Sequence, residues 1–213
     1  MQARRAVALG GVRVRPIQPL FPAFLKLAGR SVLLVGGGQV AASKLAVLKH
    51  AHARVTVVAP RVCRSIRRAR VRVVRRRFRS ADLVGHWFVV SAATPAVNRA
   101  VAGAAVRRGL FVNAVDDPAN ASAYLGGVLR RGGITIAIST GGQAPALAGL
   151  IREGIEAVLP DDLESWLHQA RSIRGRWLRA GTSMARRRPQ LLDALMRLYA
   201  QRKLGQAFTG ARR

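Results

Sequence analysis

Two short stretches hold residue types whose spacing can support chemistry. One is FVNAVDDPANAS, Phe111–Ser122, where Asp116 and Asp117 stand side by side after a hydrophobic run. Carboxylates are scarce here: 37 Lys and Arg face 9 Asp and Glu, and no acid precedes Asp82. A carboxylate at the end of a strand can serve as a base, because ligands bind at the carboxyl edge of a parallel sheet. The same pair can equally form a turn, since Asp117-Pro118 favours one.

The other stretch is SVLLVGGGQVAASKL, where Gly36-x-Gly38-x-x-Ala41 separates an apolar run from a helical pattern. This spacing is the dinucleotide fingerprint in its proper setting. Gly36 permits a tight turn, Gly38 lets a pyrophosphate approach the backbone, and Ala41 lets the helix lie close to the sheet. The free N–H groups at the start of the helix then face the phosphates. Gly36, Gly37, Gly38, Gln39 and Val40 are the expected cofactor contacts, with Pro60 and Arg61 at the end of the next strand. NAD sites usually carry an acid at that second position. Arg61 fits a 2′-phosphate, and hence NADP, or is one more surface arginine. A third stretch, STGG at Ser139–Gly142, offers hydroxyls and unencumbered N–H groups for substrate carboxylates, or simply a turn into the next helix.

These residues need a scaffold, and the pattern around them supplies one. Val14–Arg30 is Pro-punctuated and reads as a short turn of helix or an edge strand. Ser31–Val35 reads as a buried strand. The helix after it has Val40, Leu45 and Leu48, with Ala41 between, as its apolar positions. Arg54–Pro60 is a second strand, and the middle of the arginine-rich Arg64–Arg79 alternates like a third. His86–Thr94 and Leu110–Val115 are the fourth and fifth. Between them lies a helix with Pro95 at its start and Gly109 beyond its end. This alternation predicts a parallel α/β sheet with helices on its faces. After Asp117 the rhythm changes. Two strands joined through Gly132-Gly133 read as antiparallel, an amphipathic helix ends at Pro160, and the remainder is helical. Asp161, Asp162 and Glu164 crowd the start of the first tail helix, where the helix dipole favours negative charge.

Composition narrows the classes of function. With 213 residues, half of them hydrophobic, the chain can bury a real core. No apolar run is long enough for a membrane-spanning helix. The lone Cys63 excludes a Cys-rich metal site and fits a reducing, cytoplasmic setting. His50, His52, His86 and His168 show no ligand spacing, so no metal centre is expected. Met1–Pro16 holds four arginines and lacks the apolar core of a secretory signal. It is read as a basic extension, expected to be disordered. The net charge of +28 draws polyanions, among them nucleic acid and polycarboxylates. Aromatics are only 5%, and no zinc or helix-turn-helix pattern appears, so no sequence-specific nucleic-acid binding is expected.

The segments FPAFLKLAGRSVLLVGGGQVAASKLAVL, DLVGHWFVVSAAT, FVNAVDDPANAS and ITIAISTGGQAPALAGLIREGIEAVLP together resemble the precorrin-2 dehydrogenases of siroheme biosynthesis, which often double as sirohydrochlorin ferrochelatases. The likeness covers roughly residues 19–160. It implies a Rossmann NAD-binding domain over 17–122, a dimerisation region over 123–160 and a helical domain over 161–213, in an interlocked homodimer. It implies NAD-dependent oxidation of the octacarboxylate precorrin-2 to sirohydrochlorin, with ferrous iron as a further substrate in chelating members. The family's essential aspartate matches Asp116, leaving Asp117 to the turn. The methyltransferase domain of the larger siroheme synthases is not expected. The chain departs from the family at AATPAVN, where members commonly have AATDD and a longer turn, and at ASAYLGG after Ser122.

Overall fold

The computed structural model describes residues 19–210, with side chains up to Arg197. The basic extension Met1–Pro16 lies outside the described residues. Five strands form a parallel sheet: β1 (Ser31–Val35), β2 (Arg54–Val58), β3 (Arg72–Val74), β4 (Phe88–Ser91) and β5 (Phe111–Ala114), in the order β3-β2-β1-β4-β5. The order reverses between β1 and β4. That reversal is the switch point at which open sheets of this kind bind nucleotides.

β1 is buried on both faces because Val32, Leu33, Leu34 and Val35 are all apolar. Val32 and Leu34 pack with Leu45, Leu48 and Ile66 on one side. Leu33 and Val35 pack with Val101, Ala104 and Ala105 on the other. Helix α1 (Gln39–His50) supplies Leu45 and Leu48, and helix α3 (Pro95–Val106) supplies the valine and alanines. On α1 it is Ala41, not Val40, that turns inward; Val40 is 49% exposed. The small side chain lets the helix backbone approach the sheet, and the valine one position before it points away.

Two expectations are corrected. The residues from 19 to 30 form neither helix nor strand, only a turn at Ala28-Gly29. The arginine run contains a five-residue helix, α2 (Arg64–Arg68), ahead of β3. Ile66 is its one buried residue, so the apolar periodicity that would reveal it is missing.

By contacts, the described residues up to Gly126 together with Ser139–Leu147 form one compact unit. Gly127–Ile138 with the residues from Ala148 onward form a second. In the latter, β6 (Gly127–Arg131) and β7 (Ile134–Ile138) make an antiparallel hairpin through Gly132 and Gly133, both at positive φ. Helices α4 (Pro145–Val158), α5 (Leu163–Arg179) and α6 (Met184–Gly210) follow, and Pro189 lies inside α6 rather than at its start. Among the described residues no helix is long and apolar enough to cross a membrane.

Asp82 closes the crossover from β3 to β4. Its carboxylate accepts hydrogen bonds from the Arg76 guanidinium and from the Arg79 backbone N–H, at 2.8 Å. The Arg76 hydrogen bond is the main cause that holds its carboxyl below the usual carboxylate range, against partial burial. A carboxylate with a lowered folded pKa contributes stability above its unfolded pKa of about 3.9 and loses it as pH falls through the folded value. Wild type should therefore melt above Asp82→Asn at neutral pH, with the gap closing in acid below about pH 4. Thermal melts across this range check it; a gap that persists at the lowest pH contradicts it.

Candidate active site

The carboxyl ends of β1, β4 and β5 lie side by side, with Val35 in register with Ser91 and Ser91 with Ala114. The glycine turn and Asp116 follow two of those three ends.

After Val35 the chain enters the glycine turn. Gly36 has φ +130°, a value that L side chains rarely adopt. A Cβ there would collide with the Ala92 carbonyl, and one at Gly37 with the Arg61 carbonyl. The exits of β4 and β2 thus close on the turn from two sides. The Gly36 N–H donates to the Val58 carbonyl at 3.0 Å, and the Cys63 N–H donates to the Gly37 carbonyl at 2.8 Å. Gly38 differs: it is exposed, has ordinary φ of −82°, and its Cβ would meet no atom within 4 Å. It is the N-cap of α1, whose first intrahelical bond runs from the Ala42 N–H to the Gly38 carbonyl. The N–H groups of Gly38, Gln39, Val40 and Ala41 precede that bond, and no side chain caps them. Gln39 and Val40 are exposed beside them, and Pro60 and Arg61 are exposed at the exit of β2. The chemistry of this cradle fits a dinucleotide: side-chain-free backbone, open space at Gly38 and a helix N-terminus.

Asp116 stands two residues beyond β5, two strands from the glycine turn, or about 10 Å at ordinary strand spacing. It has φ +57° and is exposed. The Asp117 N–H donates to the Ala114 carbonyl at 3.4 Å, which makes Ala114–Asp117 a tight turn with Asp116 at its third position. A left-handed conformation costs a residue other than glycine about 1–2 kcal/mol. Among the described residues Asp116 has no hydrogen-bond or ion-pair partner, despite the excess of arginine. Asp117 does something different: both of its carboxylate oxygens accept from the Asn120 amide, at 2.9 and 2.8 Å. It fastens the turn, as expected.

The STGG loop lies against this turn. A Cβ at Gly142 would fall 3.0 Å from Pro118 carbons and 3.1 Å from the Tyr124 ring. The Ser139 hydroxyl accepts from the Gly141 N–H, and the Thr140 hydroxyl from the Ala144 N–H, each at 3.1 Å. Both hydroxyls therefore shape the loop and the start of α4, and each keeps its own proton to donate. Gly141 and Gly142 are at positive φ.

Two residues escaped the reading of the sequence. Asn98, buried in the first turn of α3, ties that helix to the ends of β4 and β5. A buried amide in an otherwise apolar helix face is its only sequence signal. Asn113 on β5 donates to the Ala123 carbonyl at 2.9 Å, and its Oδ1 has no protein partner among the described residues.

Comparison with known proteins agrees with this geometry. Residues 23–127 match the family described as putative NAD(P)-binding, and residues 131–157 match the sirohaem biosynthesis protein central segment. Siroheme synthase 1 of Aeromonas salmonicida is 38% identical over 191 residues, covering 87% of this chain and 40% of that protein. The siroheme synthase of Photorhabdus laumondii is 38% identical over 172 residues, covering 78% of this chain and 37% of its own length. The chain thus spans about 40% of the curated relatives it matches. Among solved structures, SirC, a precorrin-2 dehydrogenase, is 27% identical with a TM-score of 0.65, over 82% of this chain and 88% of that one. A glycine turn at the switch point and two consecutive family matches place the chain in the family of NAD(P)-binding sirohaem biosynthesis proteins, with siroheme synthases and the precorrin-2 dehydrogenase SirC among its relatives.

Proposed function

We propose that this protein is an NAD-dependent precorrin-2 dehydrogenase that forms sirohydrochlorin in siroheme biosynthesis, with Asp116 as its catalytic base. The observation that carries the reading is the Asp116 carboxylate. In a chain so rich in arginine it has no cationic partner among the described residues, and it occupies a left-handed turn beside the nucleotide cradle.

The oxidation removes a hydride and a proton from precorrin-2, giving sirohydrochlorin, NADH and a released proton. NAD, when bound, supplies the hydride acceptor. The N–H groups at the start of α1 hold its pyrophosphate, and Gly38 leaves the room for it. The Asp116 carboxylate takes the proton that the substrate loses. Hydroxyl and N–H donors of Ser139, Thr140, Gly141 and Gly142 bind peripheral carboxylates of the substrate. The strongly basic chain attracts that octacarboxylate over distance. In a chelatase step, ferrous iron enters as two pyrrole N–H protons leave, and the same exposed carboxylate would take them one at a time and pass each to water.

The module works as a cytoplasmic homodimer in this reading, with 17–122 as the nucleotide domain, 123–160 as the dimerisation region and 161–213 as the helical domain. Exposed Leu147, Leu150, Ile151 and Val158 on α4 give that region an apolar face.

Gly38→Ala tests the cradle, because an added methyl meets no protein atom. Alanine is a much poorer N-cap than glycine, at a cost of about 1 kcal/mol, so the variant's melting temperature should fall by only a few degrees. Its NAD affinity should fall about tenfold or more, because the methyl occupies ligand space. Calorimetric titration decides; unchanged affinity would remove the pyrophosphate from Gly38.

Turnover is tested anaerobically with precorrin-2, NAD or NADP, following sirohydrochlorin absorbance. Asp116→Ala and Asp116→Gly should both lose turnover by about 100-fold or more, the range of a lost general base. Their stabilities should differ, with Asp116→Gly melting above Asp116→Ala, because glycine accepts φ +57° without strain. Full activity in either variant would overturn the role of Asp116. Turnover by neither cofactor, with iron insertion into sirohydrochlorin retained, would make the protein a chelatase alone.

A further inference from the structure

We propose that Asn98 is a positioning residue that sets the direction of the Asp116 carboxylate; the inference rests on the reading of Asp116 as the base. Asn98 is the fourth residue of α3 and is 3% exposed. Its Oδ1 accepts from the Ser91 hydroxyl at 2.6 Å and from the Ala93 N–H at 3.1 Å. Its Nδ2 donates to the Val115 carbonyl at 3.2 Å. The amide can sit only one way round, since the Ala93 N–H requires an acceptor and the Val115 carbonyl requires a donor.

That last bond falls at a decisive point. The Val115 carbonyl belongs to the peptide plane that enters Asp116, and rotation of the residue against this plane is its φ. In the peptide plane before it, the Val115 N–H donates to the Ser91 carbonyl at 2.9 Å. The plane leaving Asp116 is held by the Asp117 N–H on the Ala114 carbonyl. Both planes that flank the Asp116 Cα are thus fastened. Asn98 is the only side chain that does any of this fastening among the described residues; the remaining bonds are backbone. Without it, the entering plane is free to rotate, and the strained left-handed residue can relax toward ordinary φ. The carboxylate would then swing away from its place.

The same amide also ties the Ser91 and Ala93 exit of β4 to α3. β4 borders the switch point, so Asn98 connects the nucleotide side of the site to the acid. Its role is positioning, because no atom of it is required to touch substrate or cofactor.

The test uses Asn98→Asp and Asn98→Ala in the full chain, measuring kcat, KM for precorrin-2, NAD affinity and melting temperature. Asn98→Asp keeps the acceptor toward Ser91 and Ala93 and replaces the donor toward Val115. We expect kcat to fall about 100-fold, the scale of a misplacement near 1 Å. NAD affinity and KM should stay within about threefold, because the lost interaction acts in the chemical step. Adding either substitution to Asp116→Ala should leave the residual rate unchanged. A folded variant with near-normal kcat, or one that loses NAD affinity in parallel with kcat, would overturn the proposal. So would a double variant slower than Asp116→Ala. If both variants unfold, the bond is read in the wild type by its through-hydrogen-bond NMR coupling from Asn98 Nδ2 to the Val115 carbonyl, and absence of that coupling would also overturn the proposal. Full turnover by Asp116→Ala is a different failure: it removes the base, not the bond.

Discussion

The exit of β1 must be free of side chains, and most of the site follows from that constraint. The carbonyl of Ala92 occupies the space a Cβ would need at Gly36, and the carbonyl of Arg61 does the same at Gly37. The glycines therefore let two neighbouring strand exits close onto the turn, which draws the ends of β4 and β2 around the start of α1. The N–H groups that open α1 then lie beside those exits, in open space. Gly38, outside this collision, is left open to a ligand. Three consecutive glycines thus have two uses, close packing for the first pair and access for the third.

The economy of carboxylates tells the same story from the other side. Asp82 is bonded to Arg76 and Arg79, Asp117 to Asn120, and Glu156 to Arg152 and Arg131. Asp193 pairs with Arg197. Each of these is used to fasten structure. An acid surrounded by so much arginine is readily neutralised by a salt bridge, yet among the described residues Asp116 has no such partner. Placing it at a conformation suited to glycine costs stability, and a cost of this kind persists where surrounding bonds over-determine the backbone. Here they do so through Ser91, Ala114 and Asn98.

Legibility in the sequence followed the range of the interactions. β1, α3 and the β6–β7 hairpin were readable because an apolar run, a proline at a helix start and a glycine pair are local signals. Asp116 and the glycine turn were readable as candidates for the same reason. The five residues of α2 were hidden, since arginines fill every face but that of Ile66. On α1 the inward place of Ala41 was readable from the fingerprint spacing, but Val40, counted with Leu45 and Leu48 as a core-facing apolar position, is exposed instead. Asn98 was invisible as a contributor. Its bond to Val115 spans 17 residues and exists only once β5 lies beside β4. The seating of Gly142 on Pro118 is likewise a tertiary fact.

The AATPAVN segment after β4 is a tight turn near the candidate site. A tight turn can leave backbone groups stranded, and stranded polar groups are costly. That has not happened. The Ala92 N–H donates to Val35, the Ala93 N–H to Asn98 Oδ1, and the Asn98 N–H to Thr94. Pro95 opens α3 where no N–H is needed. The turn is complete without an acid, because the polar work at this corner is done by an amide from the helix itself. An amide brings both a donor and an acceptor, and this corner uses both, whereas an ionised carboxylate could satisfy Ala93 and Ser91 but not the Val115 carbonyl. Hydrogen bonds therefore run without a break from the end of β1 through the exit of β4 to Val115, the residue before Asp116.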